Sequence, residues 1–304
     1  MRKLLFLTMI SMLFSGSLSA CDICGCGMGG SLIGIVPQFN TNIIGVRYRY
    51  QKFNHQNVSY SLSGTKRVLS DVYQSAELWS RYNFNNRLQF FAAVPYVFNK
   101  RVDNINDNPI KGIGDISTTL NYIFYNSGDS INRNTKLMLY GGASLKLPTG
   151  KYQVRNIDKL MHPIGIQPGT GAWGTALNAG GVLRYKKFGL STELRYLFHF
   201  ENELSFKLGN QLLGEVNVFY WKKFGFNSLL IHVGSSYEHF EKDYNFEKVN
   251  KLSGGSVWYG SLGTDFFYRN FMLGSKYIHA LTINSPADLP TAGPRIQLQL
   301  NYFF

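Results

Sequence analysis

The chain has 304 residues and a formal net charge of +13, with 15% aromatic but only 16% charged residues. Ordinary soluble domains carry about 25% charged residues, so this composition disfavours a soluble enzyme. The basic residues stand singly or in short pairs instead of forming one patch or helix face, which argues against a nucleic-acid-binding protein.

Residues 1–20 have the pattern of an export signal. Arg2 and Lys3 precede a short apolar run, and the segment ends in mostly small residues. The apolar run is too short to cross a bilayer, and after residue 20 no apolar run reaches the roughly 18 residues of a membrane-spanning helix. We therefore predict a signal peptide and an exported protein that meets a membrane, if at all, through strands.

Residues 21–40 follow as a Cys- and Gly-rich segment, predicted to be periplasmic, that contains Cys21, Cys24 and Cys26. Three interpretations remain open. The sequence LSAC at 18–21 resembles the lipobox at which bacterial lipoproteins are cut, which would make Cys21 a lipidation site. The C-x-x-C-x-C spacing of three thiolates suits copper or zinc, and lipidation of Cys21 would leave Cys24 and Cys26 for the metal. Cys21 and Cys24 also form a C-x-x-C pair that could oxidise to a disulfide.

From residue 41 onward the sequence alternates in polarity over segments of ten to fifteen residues, which is typical of strands. Successive side chains of a strand point to opposite faces. RIQLQLNYFF at 295–304 has one apolar face and one face of Gln and Asn. The same two-sided pattern recurs in GDISTTLNYIF at 114–124 and LSTELRYLFHF at 190–200. We predict an all-β fold, a transmembrane antiparallel up-and-down β-barrel over residues 41–304.

Twelve strands are predicted for this barrel. They cover residues 41–51, 69–83, 87–99, 112–126, 134–148, 172–186, 189–201, 210–222, 225–237, 255–268, 271–283 and 294–304. Connections after even-numbered strands are brief and those after odd-numbered strands are mostly longer, as in outer-membrane barrels. Both termini then lie on the short-turn, periplasmic side, where turns rich in lysine and aromatic residues would anchor the barrel at the lipid interface.

If the apolar faces meet lipid, the opposite faces line the lumen. The predicted lumen-lining residues are Arg47, Arg49, Glu77, Arg81, Asp115, Lys146, Arg184, Glu193, Arg195, Glu215, Asp265 and Lys276. Two interpretations remain open, because buried charges must be paired or hydrated. The residues either form a salt-bridge network that fills a narrow barrel, or they tune a conduit for weakly anionic or neutral polar solutes.

Three stretches resemble one known family: KGIGDISTTLNYIF (111–124), GGASLKLPTGKY (141–152) and QPGTGAWG (167–174). Together with the aromatic C-terminus, they resemble the outer-membrane transporter-like family named after the MetA pathway of phenol degradation. The resemblance implies an outer-membrane barrel for the uptake of small, often hydrophobic, molecules. The start CDICGCG separately resembles that of barrel proteins of Bacteroidetes-type bacteria. Tyr302 and Phe304 resemble the C-terminal signal that barrel-assembly machinery recognises.

Motifs for other chemistry are weak. GTGAWG at 169–174 matches G-x-G-x-x-G, but it runs into a predicted strand instead of a helix that could bind a pyrophosphate. The six histidines are scattered, and neither H-E-x-x-H nor a serine nucleophile elbow occurs. We predict a non-enzymatic channel or transporter for passive uptake of small molecules in the outer membrane of a Gram-negative bacterium. The alternatives are a copper- or zinc-binding protein that uses the cysteine segment, and a plugged structural barrel.

Overall fold

The structure, a computed structural model, describes residues 41–54, 59–60, 66–67, 70–102, 107–127, 134–155, 161–284 and 291–304. The predicted signal peptide and the predicted cysteine segment lie outside the described residues. Nothing structural therefore bears on Cys21, Cys24 or Cys26.

Within the described residues, twelve antiparallel strands form one closed barrel. They are β1 Ile43–Asn54, β2 Ser70–Asn83, β3 Leu88–Val102, β4 in two segments (Asp107–Ile113 and Ser117–Asn126), β5 Thr135–Lys146, β6 Gly174–Tyr185, β7 Phe188–His199, β8 Gln211–Phe224, β9 Asn227–Phe240, β10 Gly255–Tyr268, β11 Phe271–Asn284 and β12 Thr291–Phe303. The barrel closes because β1 pairs with both neighbours, so that Ile43 lies opposite Arg81 of β2 and Phe303 of β12. The predicted all-β barrel with about twelve strands is confirmed.

The two ends of the barrel differ. At the turn end, where β1 begins and β12 ends, even-numbered strands connect through short links, three of them the two-residue turns 186–187, 225–226 and 269–270. The first residue of each of these turns, Lys186, Gly225 or Arg269, has a positive φ of 51° to 62°. Tight hairpin turns require this left-handed backbone. At the loop end, the connections include short extra strands and a 3-10 helix, Ile164–Ile166.

The outer face of the barrel is apolar. Mid-strand residues such as Leu78, Val233 and Leu262 are exposed. Aromatic side chains are concentrated at both rims, with Phe226 at the turn end 92% exposed. An apolar band between two aromatic girdles is typical of membrane barrels.

Among the described residues, no helix has the length and apolar character needed to cross a membrane.

Apolar side chains also fill part of the interior. The turn-end layer consists of Ile43, Trp79, Phe91, Ala93, Ile123, Met138, Tyr140, Val182, Phe219, Trp221, Leu230, Phe267, Met272 and Phe303. Two smaller clusters lie at the loop end: one consists of Phe240, Val257, Tyr259, Ile278, Ala280 and Ile283, and the other of Phe53, Tyr73, Ile110 and Ile166. Buried polar residues lie between these layers and also among the apolar residues at both ends, as Arg81 and Arg295 do.

Candidate functional site

The structure places all twelve residues predicted to line the lumen on the inner side of the barrel. Each is buried or half-buried, and Arg47, Arg81 and Asp265 are the most enclosed at 1–2% exposed. Eleven of them belong to strands, whereas Asp115 lies in the break between the two segments of β4. Their even or odd position in each strand places them on this face.

Arginines and glutamates from β1, β2 and β7 form the middle of the interior, which we call the central belt (Arg47, Arg49, Glu77, Glu193 and Arg195). Glu77 Oε1 accepts hydrogen bonds from Arg47 Nη1 at 3.2 Å and from Arg49 Nη2 at 3.3 Å. Arg195 donates from Nη2 to the Ser144 hydroxyl at 3.1 Å. Two arginines thus share one carboxylate, and the third is hydrogen-bonded to a neutral group.

The other predicted lumen residues lie apart from the central belt. Lys276 contacts Glu215, and Asp265 accepts a hydrogen bond from Gln299 at 3.3 Å. Towards the turn end, Arg81 Nη2 donates to the carbonyl oxygen of Thr41 at 2.9 Å. The Arg184 guanidinium carbon lies 4.3 Å from the ring centroid of Trp221, a cation–π geometry.

The sequence analysis missed a buried group at the loop end. Arg295 donates to both carboxylate oxygens of Glu238, at 2.6 and 2.9 Å. It also donates to Gln51 Oε1 at 2.6 Å and to the Tyr259 hydroxyl at 2.8 Å. Arg295 shares the parity of Gln297 and so lies on the inner face, a signal that was present in the sequence. Its partner Glu238 lies one residue beyond the predicted end of β9.

A second ion pair at the loop end was missed because one of its residues also lies beyond a predicted strand end. Arg101 Nη2 lies 2.5 Å from Asp71 Oδ2, and Arg101 Nε donates to Asp71 Oδ1 at 2.6 Å. The predicted β3 ended at residue 99, whereas the strand extends to Val102. Strands that run past the apolar band bring these charges onto the inner face.

The described parts of the connection between β5 and β6, residues 147–155 and 161–173, fold into the barrel mouth, and we call them the inner loop. Ile166 is completely buried and packs with Phe53 and Tyr73 of the barrel wall. The Asn99 side-chain amide of β3 donates to the carbonyl oxygen of Ile166 at 2.7 Å. A loop that buries apolar and hydrogen-bonded groups in this way is docked against the barrel wall and is not a free surface loop.

Asp115 attaches the inner loop to the wall. Its carboxylate accepts hydrogen bonds from the backbone N–H of Thr170 at 3.1 Å and from the Thr170 hydroxyl at 2.8 Å. It also accepts from the backbone N–H of Gly150 at 3.0 Å, and Lys146 Nζ lies 3.2 Å away. The break in β4 gives Asp115 this position, and we call the group the Asp115 latch.

A chamber of about 190 Å³ lies under the inner loop. Gln167, Pro168 and Thr170 of the loop contribute to its lining, as do Arg49 and Arg195 of the central belt. The rest of the lining comes from the strands β2–β8 and from Asp115. The chamber combines charged groups with apolar side chains, so it can hold a small amphipathic molecule.

In the described part of the chain, the remaining sequence motifs lie in the inner loop and on the outer face. Gly169 and Gly171 of the GTGAWG match belong to the inner loop, and no helix follows them. No group of three or more His, Cys, Asp or Glu side chains suited to a metal occurs among the described residues. Tyr302 and Phe304 lie on the outer face with their ring centroids 6.3 Å apart.

No protein-family model matches the sequence, and no curated protein is significantly similar to it. Among solved structures, an outer membrane channel from Pseudomonas putida F1 has a TM-score of 0.65 and 15% identity, covering 88% of this chain and 97% of the channel. The β domain of the Bordetella autotransporter BrkA has a TM-score of 0.50 and 10% identity, covering 87% of this chain and all of that domain. At identities this low, the structural similarity shows a shared fold and nothing more specific.

Proposed function

We propose that the protein is an outer-membrane β-barrel that acts as a channel or transporter for passive uptake of small molecules. The observation that carries this proposal is the contrast between an apolar, aromatic-rimmed outer face and a charged interior that contains a chamber. In such barrels lipid contacts the apolar outer face, whereas polar solutes contact the charged interior. The shared fold with the outer membrane channel of Pseudomonas putida F1 supports the same assignment.

The proposed orientation has the turn end in the periplasm. The five short connections at this end support it, because periplasmic turns are short in such barrels. Tyr302 and Phe304 would then present the aromatic signal to the barrel-assembly machinery. We also propose membership of the family named after the MetA pathway, which the stretches at 111–124, 141–152 and 167–174 support.

In this proposal the inner loop controls passage. It occupies the barrel mouth above the chamber, while the turn-end layer of apolar side chains lies below the central belt. Solute transfer therefore requires the inner loop to leave its docked position, at least in part, and the solute must then pass the apolar side chains of the turn-end layer. The chamber is the first polar compartment that a solute would meet after that movement.

The test is liposome swelling with solutes of graded size, using the full chain refolded into liposomes. We expect swelling above that of protein-free liposomes for small solutes, with a cut-off as the solute grows. Heat-modifiable migration on a denaturing gel verifies that the barrel is folded. Folded protein that gives no swelling with any solute would contradict passive uptake.

A plugged structural barrel is the second candidate. The Arg295–Glu238 pair, the Asp115 latch and the turn-end layer favour it, because together they occupy much of the interior. The same experiment separates the two candidates when the latch is broken. Swelling that stays absent even with the inner loop released would support the plugged barrel.

The three interpretations of the cysteine segment stay predictions. Mass spectrometry of the mature N-terminus would detect a lipid on Cys21. Titration of the full chain with copper or zinc, compared with a Cys24→Ser, Cys26→Ser variant, would test a metal site. Equal metal uptake by both proteins would eliminate it.

A further inference from the structure

We propose that the chamber under the inner loop binds a small organic monoanion, a molecule with an apolar body and one carboxylate. This assignment rests on the proposed uptake function and specifies its solute class. Three properties of the chamber support it: the charge of its lining, the hydrogen-bonding state of its arginines, and its apolar walls.

The lining of the chamber has an excess of one positive charge. Three lining residues are basic and two are acidic: Arg49, Lys146, Arg195, Glu77 and Asp115. Asp115 is engaged with Lys146, and Glu77 accepts hydrogen bonds from Arg49 and from Arg47 behind it. The central belt has the same balance, with three arginines against Glu77 and Glu193. A single anionic group would neutralise this excess.

Arg195 has hydrogen-bond donors to spare. A guanidinium has five N–H donors, and Arg195 donates one hydrogen bond in the described part of the chain, to Ser144. The Nε atoms of Arg195 and Arg49 are enclosed and lack a hydrogen-bond partner among the described residues, which leaves both guanidinium groups incompletely hydrogen-bonded. Arg195 lies near two carboxylates, Glu193 and Glu77, but it is also close enough to Arg49 for the two arginines to repel each other, and an anion near both would reduce that repulsion.

Apolar side chains form much of the remaining wall. Ala93, Pro95, Val97, Leu197 and Leu213 belong to the lining. They offer no hydrogen bonds to replace the water of a strongly hydrated inorganic anion, but they match the apolar part of an organic one. A volume of about 190 Å³ is smaller than the roughly 300–1,000 Å³ of pockets for drug-sized ligands. The chamber therefore fits a compact organic acid.

Isothermal titration calorimetry of the detergent-solubilised full chain tests this assignment with three probes of similar shape: benzoate, neutral benzamide and cationic benzylamine. We expect benzoate to bind at least tenfold more tightly than the other two in low-chloride buffer. Arg195→Gln removes a charge-assisted hydrogen bond, so benzoate affinity should fall roughly tenfold or more while benzamide affinity stays the same.

Two matched variants make the test specific. Arg195→Lys retains the charge and should recover part of the benzoate affinity. Lys248→Gln removes one positive charge from a loop-end strand that does not line the chamber, and it should leave benzoate affinity unchanged. Gel migration verifies that each variant is folded. The comparison of the three probes on the unmodified chain tests the site even if a variant fails to fold.

Several results would overturn the site: no benzoate binding, equal affinity for benzoate and benzamide, or equal losses in Arg195→Gln and Lys248→Gln. The proposed function fails separately. Swelling without selective benzoate binding would refute the site alone, whereas selective binding without swelling would refute passive uptake and retain the site.

Discussion

The Asp115 latch leads to a quantitative prediction for Asp115→Asn. In the intact protein, the carboxylate accepts three hydrogen bonds from the inner loop and contacts Lys146 of β5. Asparagine keeps one oxygen acceptor, but it replaces the other oxygen with a donor and removes the charge. A hydrogen bond to a charged group contributes roughly 1.5–3 kcal/mol. The loss of one or two such bonds should therefore destabilise the docked inner loop by about 3 kcal/mol.

This free energy corresponds to a change of roughly 100-fold in the ratio of docked to released loop. Hydrogen exchange measured by mass spectrometry should be faster in peptides covering 147–173 and unchanged in the strands. Swelling rates for solutes near the size cut-off should increase at the same time. Both readouts follow from one event, so they should change together.

Asp243→Asn is the matched control for this experiment. Asp243 is also a loop-end aspartate and accepts a hydrogen bond from the backbone N–H of Gly209 at 2.8 Å, so it joins two other loops. Its substitution should leave exchange in residues 147–173 unchanged. If Asp115→Asn leaves both exchange and swelling at the values of the unmodified chain, the latch has no role and the reasoning is wrong.

Three further predictions concern the interior, the outer face and the inner loop. Arg295→Met leaves the carboxylate of Glu238 buried and uncompensated, so the barrel should lose roughly 3–5 kcal/mol of stability and unfold at a lower temperature in the heat-modifiability assay. Adding Glu238→Gln should restore much of that stability. An unchanged unfolding temperature in Arg295→Met would refute the pairing. Val233→Arg places a charge in the middle of the apolar band and should lower the folding free energy, measured by titration in lipid, by about 2–4 kcal/mol. Phe226→Arg at the rim should lower it by about 1 kcal/mol or less. Equal losses in the two variants would argue against a membrane location. Burial, assisted by a neighbouring arginine, holds the pKa of His162 below its ordinary value of 6.5, so protonation of His162 favours the released loop. Docking of the inner loop should be unaffected above pH 6.5 and should weaken below it. Hydrogen exchange in 147–173 that shows no acid dependence, after correction for the intrinsic rate, would count against this.

Strand number and facing were predictable because they depend on local patterns. In β12, the alternation of RIQLQLNYFF assigned Leu298 and Tyr302 to the outer face, where the structure has them exposed. The turn at 269–270 coincides with the predicted one, and the turn at 186–187 lies one residue before the predicted 187–188. These features need no knowledge of distant residues, since the period of a strand is two.

Strand ends and the pairing of charges were less predictable. Glu238 and Arg101 both lie beyond the predicted strand ends, where polar sequence no longer distinguishes a strand from a loop. The predicted fourth strand began at residue 112, whereas β4 begins at Asp107 and is interrupted before Ser117. That interruption places Asp115 at the latch, where its partners Gly150 and Thr170 come from a distant part of the sequence.

The sequence by itself determined the barrel, because alternation, turns and aromatic rims are each encoded within about fifteen consecutive residues. The tertiary structure decided what the barrel encloses. Closure of the barrel brings Gln51 and Arg295, 244 residues apart, into one buried group. It also places the inner loop against β3 and the break in β4. Such contacts depend on how the strands are arranged around the barrel, which no local sequence pattern specifies.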